Sequence, residues 1–174
     1  TAEPKKDMLL IQRNAEWLAR AQIREGERAG AWTYFSVAGE QARGDNSNSQ
    51  FALLGLHEAE QAGVQVDDTT WQLALDYWLS CQRPDGAWSY YKPLKDQPEA
   101  PPTGSMTCAG IGALVISQGR LSAGDARVSE GTIRCCCEQA DDDQLERALA
   151  VLGAKFTVSA KPSHAAVGGR GGLR

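Results

Sequence analysis

A short aromatic segment occurs twice in this sequence. Residues 82–91 read Gln-Arg-Pro-Asp-Gly-Ala-Trp-Ser-Tyr-Tyr, and residues 30–35 read Gly-Ala-Trp-Thr-Tyr-Phe. Trp32 and Trp88 are the equivalent tryptophans of the two copies, and their positions give the period of the repeat. A repeat of this period predicts an array of supersecondary units that bury their apolar faces against one another.

Five segments have the apolar spacing of helices. They cover about residues 6–23, 46–63, 67–82, 106–116 and 142–156. The first and third carry one apolar stripe. The fourth is apolar or small on all sides, which is typical of a helix that is buried all round. The sequence therefore predicts an all-α fold.

These helices pair into hairpins within a domain at residues 1–160. Repeats at about 6–63 and 67–119, with an incomplete one at 141–158, give about two and a half hairpins. The alignment of the two complete repeats places Ala52 opposite Ala109. Residues 119–140 are predicted to be an irregular connection, and 161–174 a flexible Gly-rich tail. Such an array has apolar ends, which predicts self-association or contact with the remainder of the array.

Polar and turn-forming residues predict where the helices begin and end. The segment 45–49 and the pair Asp67-Asp68 supply N-cap residues. Pro84 and the Asp-Gly turn after it end the third helix near Gln82. The Gln82 side chain is then in place to bond free backbone groups at this helix end or at a neighbouring one.

Two sets of residues carry a resemblance to a known family: Gln82, Gly86 and Trp88, and, with a longer insertion, Gln22, Gly30 and Trp32. The pattern resembles the QW motif of the squalene cyclase, terpenoid cyclase and protein prenyltransferase superfamily. The sequence is similar in particular to bacterial prenyltransferase/squalene-oxidase-repeat proteins. The resemblance implies a partial α/α toroid, which is part of a ring of helical hairpins, and an architectural role for the motif.

The resemblance implies one of two functions. The first is a domain that is non-catalytic or catalytically incomplete as this chain, with an inner helical face for an apolar ligand or a protein partner. The alternative is an isoprenoid-handling enzyme, a terpenoid cyclase or prenyltransferase, completed by missing repeats. Six aromatic residues either line a pocket and stabilise a carbocation by cation–π attraction or pack helix ends: Trp32, Tyr34, Phe35, Trp88, Tyr90 and Tyr91.

Asp67 and Asp68 are the candidate catalytic acids. Cyclases of this superfamily use an Asp-x-Asp-Asp motif, and Gln65 stands at its first position here. The pair of acids that would raise one carboxyl pKa is therefore incomplete, and capping of the third helix is the other interpretation. A catalytic zinc needs three protein ligands. His57 and His164 do not complete such a set, so no metal or cofactor is predicted.

The five cysteines are an odd number, which argues against a complete disulfide framework. Cys81 and Cys108 are predicted to pack in helices as small hydrophobes. Residues 135–137, three consecutive cysteines, are either a loop of reduced thiols or metal ligands. A third interpretation is a thioester domain, because Cys136 to Gln139 resembles the Cys-Gly-Glu-Gln of thioester domains, which are also α/α toroids.

Charge and hydropathy exclude other classes of function. The net charge is −4 with scattered basic residues, which gives no nucleic-acid footprint. The sequence has no run of roughly 18 apolar residues, so it predicts no transmembrane segment. The first residue is Thr1 rather than Met, which is typical of a processed or shortened chain.

Overall fold

The computed structural model describes residues 4–34, 44–92, 100–122, 126–129, 132–135 and 143–155. Within these ranges the fold is all-α, with one short pair of strands. The elements in chain order are α1 (Pro4–Ala21), α2 (Asn46–Gln61), α3 (Asp68–Cys81), α4 (Gly104–Leu121), β1 (Ala126–Ser129), β2 (Thr132–Cys135) and α5 (Asp143–Lys155).

Side-chain caps fix the first residue of three helices. Asp45 precedes α2 and accepts a hydrogen bond from the backbone N–H of Asn48 at 2.8 Å. Asp67 precedes α3 and Thr103 precedes α4, and each accepts a bond from a backbone N–H of the first turn. These caps satisfy N–H groups that have no partner within the helix. The predicted starts of α2 and α3 are confirmed, whereas α4 begins at Gly104, two residues before its predicted start at Met106.

The core lies between α2, α3 and α4. Helix α4 packs against α2, α3 and α5, and α1 packs against α2. Burying one large apolar side chain stabilises the fold by about 1.5–3 kcal/mol, so packing between hairpins contributes more than helix propensity does. The largest fully buried apolar side chains are Trp71, Trp78, Trp88, Tyr77, Leu53, Leu56 and Leu114.

Helix α4 is longer and less buried than its composition predicts. It continues to Leu121, and both Cys108 and Val115 are exposed to solvent. The prediction of a helix buried on all sides is therefore wrong, and Cys108 does not pack as a buried hydrophobe. The reason is geometric: α2, α3 and α5 cover part of the circumference of α4 and leave the sector of these two residues open.

The connection between α4 and α5 contains regular structure. Strands β1 and β2 pair antiparallel, with Ala126 opposite Cys135 and Ser129 opposite Thr132. The pairing of the two strands provides hydrogen-bond partners for backbone N–H and C=O groups, which in an irregular connection would be hydrogen-bonded to water. The predicted irregular connection over residues 119–140 is therefore wrong for the end of α4 and for these two strands.

Equivalent hydrogen bonds give the register between the two hairpins. The backbone N–H of Asp45 donates to the carbonyl of Trp32 at 3.1 Å, and that of Thr103 donates to the carbonyl of Trp88 at 3.2 Å. The two N-cap residues, Asp45 and Thr103, are thus equivalent. In this register Ala52 of α2 corresponds to Gly110 of α4, so the alignment of Ala52 with Ala109 is one position out.

Candidate functional site

The first Gln–Gly–Trp module consists of Gln22, Gly30 and Trp32, in the segment that joins α1 to α2. The side-chain amide of Gln22 donates to the carbonyl of Gly30 at 3.4 Å and to that of Thr70 at 3.0 Å. Thr70 lies in the first turn of α3, and Gln22 is buried. The module of one hairpin therefore holds the first helix of the next hairpin.

The second Gln–Gly–Trp module, Gln82, Gly86 and Trp88, makes the same bonds one repeat later. The side-chain amide of Gln82 donates to the carbonyl of Gly86 at 3.1 Å and to that of Gln144 at 2.7 Å. Gln144 lies in the first turn of α5. Helix α5 is therefore held by hairpin 2 (α3 and α4) in the way that α3 is held by hairpin 1 (α1 and α2).

The tryptophan of each module closes the C-terminal end of the preceding helix. The indole N–H of Trp32 donates to the carbonyl of Leu18 at 2.8 Å, and that of Trp88 donates to the carbonyl of Trp78 at 3.0 Å. Each accepting residue lies four positions before the glutamine of its module. Both module tryptophans are buried, so they combine apolar packing with a partnered indole N–H.

The same tryptophans fix the start of the following helix through their backbone. The N–H of Trp32 donates to the hydroxyl of Ser49 at 2.9 Å, and the N–H of Trp88 donates to that of Thr107 at 3.3 Å. Each hydroxyl donates in turn to the carbonyl of its N-cap residue. Each module thus binds both helices of its own hairpin and the first helix of the next one.

The module glycines allow a close approach between backbones. Gly30 has φ +94° and Gly86 has φ +84°, a conformation that L side chains rarely adopt. A Cβ atom on Gly30 would lie 1.9 Å from the carbonyl oxygen of Leu73 in α3. A Cβ atom on Gly86 would lie 2.8 Å from the carbonyl of Arg147 in α5. Both positions therefore require glycine for two independent reasons.

A buried polar cluster joins hairpin 2 to the start of α2. The hydroxyl of Tyr77 donates to Oδ1 of Asn46 at 2.8 Å, and the amide of Asn46 donates to the carbonyl of Ser89 at 2.7 Å. Burial, and then the neighbouring Cys81, raises the pKa of Tyr77 well above its usual value. Burial raises the pKa of Cys81 to about 11. Both groups are neutral near pH 7, so the cluster joins elements without charge.

The two candidate acids lie where α3 begins. Asp67 is the N-cap of α3, and its carboxylate accepts a bond from the N–H of Thr69 at 3.1 Å. Asp68 pairs with the guanidinium of Arg120 on α4 at 3.0 Å. Each carboxylate thus has a partner that gives it a local structural role.

Glu60 is a residue whose role the sequence does not indicate. Its Oε2 atom accepts from Nε of Arg120 at 2.7 Å, and its Oε1 atom accepts from the indole N–H of Trp71 at 3.2 Å. The bond to Glu60 is the largest cause that raises the pKa of Arg120. This network joins α2, α3 and α4, and its members are too far apart in the sequence for charge patterns to predict their pairing.

The six aromatic candidates divide between the core and the surface. Trp32 and Trp88 are buried and do not belong to an exposed surface, whereas Tyr34 and Tyr91 are exposed. Tyr90 is half-buried, and the neighbouring hydroxyl of Tyr34, its equivalent in the other repeat, is the largest cause that raises the pKa of Tyr90. Its ring packs edge-on against that of Tyr91 with the centroids 4.8 Å apart. Phe35 lies outside the described residues.

Helices α2 and α4 leave an equivalent line of residues uncovered, which we call the shared stripe. Its positions recur three and four residues apart, so they lie along one helix face. On both helices these residues are exposed or half-buried, in contrast to the buried face that packs in the core. The stripe consists of Ser47, Gln50, Leu54, His57 and Gln61 on α2 and of Ser105, Cys108, Gly112, Val115 and Gly119 on α4.

The remaining candidates are not brought together in the described part of the chain. His57 lies half-buried on α2. Cys136, Gln139 and His164 fall outside the described residues, and so does the tail at 161–174. In the ranges that the structure describes, no group of three His, Cys, Asp or Glu side chains is placed to hold a metal ion.

Comparison of the chain with protein-family models, with curated proteins and with solved structures finds no match. Among the described helices, none combines the length and the hydropathy that crossing a bilayer requires.

Proposed function

We propose that this chain is an arc of an α/α toroid of the prenyltransferase and squalene cyclase type, which acts as a binding module. The observation that carries the proposal is the repetition of the Gln–Gly–Trp module. In both copies the glutamine bonds the first turn of the next hairpin, at 3.0 Å and 2.7 Å. A device that each hairpin uses to hold the next one is suited to an array that curves into a ring.

In such an arc, α1, α3 and α5 are the outer helices and α2 and α4 are the inner ones. The shared stripe then lines the concave side. Leu54 and Val115 supply apolar surface, and a Cβ atom on Gly112 or Gly119 would meet, apart from the adjoining residues and backbone of α4 itself, no described atom within 4 Å. A surface of exposed apolar and small side chains, with a few polar groups, fits an apolar ligand such as an isoprenoid chain.

The residues of the shared stripe favour binding over acid catalysis. The stripe includes a histidine and a cysteine but no carboxylate. The two predicted catalytic acids, Asp67 and Asp68, are bonded to the first turn of α3 and to Arg120. Protonation of an isoprenoid substrate needs a carboxylic acid that faces it, and the stripe does not supply one.

Native mass spectrometry with geranylgeranyl diphosphate tests the proposal. Val115 of the stripe and Leu149 of α5 are both 52% exposed, so they form a matched pair for substitution. We expect saturable binding of one ligand, weakened at least tenfold by Val115→Lys and unchanged by Leu149→Lys, with the ligand recovered intact. Recovery of a cyclised or transferred product would favour the isoprenoid-handling enzyme instead. Absence of saturable binding, or equal effects of the two variants, would refute the ligand-binding role.

A further inference from the structure

Helices α1 and α3 are equivalent elements of successive hairpins. Leu18 and Trp78 accept the indole bonds of the two modules, and Gln22 and Gln82 follow them at the same spacing. The pairs Leu18–Trp78 and Gln22–Gln82 set one register for the whole of both helices. In this register Trp17 of α1 corresponds to Tyr77 of α3, and Leu10 corresponds to Thr70.

Equivalent residues of α1 and α3 differ sharply in burial. Trp17 is 54% exposed, whereas its equivalent Tyr77 is 1% exposed. Leu10 is exposed, whereas its equivalent Thr70 is fully buried. The face of α1 that carries these large apolar side chains is thus equivalent to the face of α3 that packs against hairpin 1.

The second helices of the hairpins show the same difference on the same side. In the register set by the N-caps Asp45 and Thr103, Phe51 of α2 corresponds to Ala109 of α4. Phe51 is 69% exposed and Ala109 is fully buried. We call the uncovered residues Leu10, Trp17 and Phe51 the leading face, and all three are uncharged. Large apolar side chains that are exposed where their equivalents are buried mark an interaction surface.

The face of α3 that is equivalent to the leading face is covered by hairpin 1, and this contact shows which kind of segment fits such a face. Hairpin 1 covers hairpin 2 by placing Gln22 on the Thr70 carbonyl and Gly30 on the Leu73 carbonyl. The equivalent acceptors on α1, in the register of the two helices, are the carbonyls of Leu10 and of Arg13. A module docked here would therefore meet backbone acceptors in the same arrangement.

We infer that the leading face is the docking site for one more helical hairpin of the same repeat, which carries its own Gln–Gly–Trp module. Its glutamine donates to the carbonyl of Leu10, its glycine lies against the carbonyl of Arg13, and its helices cover Trp17 and Phe51. This inference rests on the arc of the proposed function, but not on the binding of an isoprenoid by the shared stripe.

A second copy of this chain does not have a free module to offer. Gln22 is bonded to Thr70, and Gln82 is bonded to Gln144. The sequence has five tryptophans, and only the two of the modules follow a glycine at the spacing Gly-x-Trp. The occupant is therefore a partner hairpin with an unoccupied module rather than a symmetric copy.

A tandem chain tests the inference. A copy of residues 4–63 is inserted directly before Pro4. The length of this copy equals the offset between equivalent residues of α1 and α3, so the original α1 follows the added hairpin as α3 follows hairpin 1. The added hairpin carries Trp17→Phe, so that oxidation of tryptophan 17 by hydroxyl radicals reports on the original α1 alone. We expect the oxidation rate of Trp17 to fall on the order of tenfold, since its exposure falls from 54% to nearly that of Tyr77.

The control is the same tandem chain with Gln22→Ala in the added hairpin, which we expect to lose much of this protection. Full oxidation of Trp17 in a tandem chain whose Trp32 stays protected would overturn the inference. The inference would also be overturned if the original chain formed a dimer and Trp17→Glu dissociated it, because a second copy would then cover the leading face. Either result leaves the mass-spectrometry test of the shared stripe unaffected.

A single substitution gives a test that does not depend on folding of the tandem chain. In the original chain, Trp17→Lys should lower the urea midpoint much less than Tyr77→Lys does, because Trp17 is 54% exposed whereas its equivalent Tyr77 is 1% exposed. A large loss of stability would show that the leading face is already covered, and it would overturn the inference.

Discussion

Among the glycines that the structure describes, Gly30 is the position at which a side chain would meet the closest backbone neighbours. A Cβ atom there would lie 1.9 Å from the carbonyl oxygen of Leu73 and 2.8 Å from Cβ of Tyr77. Its φ of +94° adds about 1–2 kcal/mol of strain for any L residue. Displacing packed backbone adds roughly 1–3 kcal/mol. We therefore expect Gly30→Ala to lower the free energy of unfolding by about 2–5 kcal/mol.

Gly63 provides a matched control for this substitution. Its φ is +98°, close to that of Gly30, but a Cβ atom there would meet nothing within 4 Å. Gly63→Ala should therefore cost the conformational strain alone, about 1–2 kcal/mol. The difference between the two variants isolates the contact between hairpin 1 and α3.

Urea denaturation followed by far-ultraviolet circular dichroism measures both variants, with the midpoint compared at constant slope. Gly86→Ala, whose Cβ atom would lie 2.8 Å from the carbonyl of Arg147, should fall between the two. Equal losses for Gly30→Ala and Gly63→Ala would refute the close approach of the first module to α3. A Gly30→Ala chain that is unfolded without urea, beside a folded Gly63→Ala chain, would agree with it.

Three further predictions concern single side chains. Gln82→Ala should increase hydrogen exchange in α5 more than in α1, because the bond to Gln144 is lost; uniform exchange would count against it. Tyr77→Phe should cost about 1–3 kcal/mol in urea denaturation, because its bond to Asn46 is lost and that buried amide oxygen is left without a partner; no loss would contradict this role. Burial raises the pKa of Cys81 from 9.0 to about 11 in the folded state, so the free energy of unfolding should fall by about 2 kcal/mol between pH 9 and pH 11. Cys81→Ala should remove this fall, and a variant with the same pH dependence as the wild type would contradict the assignment.

The sequence alone indicates the positions of the helices and of the modules. Asp45 and Asp67 predict helix starts because capping involves residues close together in the chain. The recurrence of Gln, Gly and Trp marks Gln82 as a residue that bonds a helix end. Its partner carbonyl at Gln144 could not be predicted, because it lies far along the chain, beyond the whole of α4.

The tertiary structure alone decides which faces are covered. The apolar composition of α4 predicts a helix that is buried on all sides. Val115 is nevertheless half exposed, because the neighbouring helices cover only part of the circumference of α4. Trp17 and Tyr77 occupy equivalent positions, and only Tyr77 is buried, because a hairpin precedes α3 in space. Caps and turns follow from interactions a few residues apart, whereas burial depends on neighbours that the local sequence does not specify.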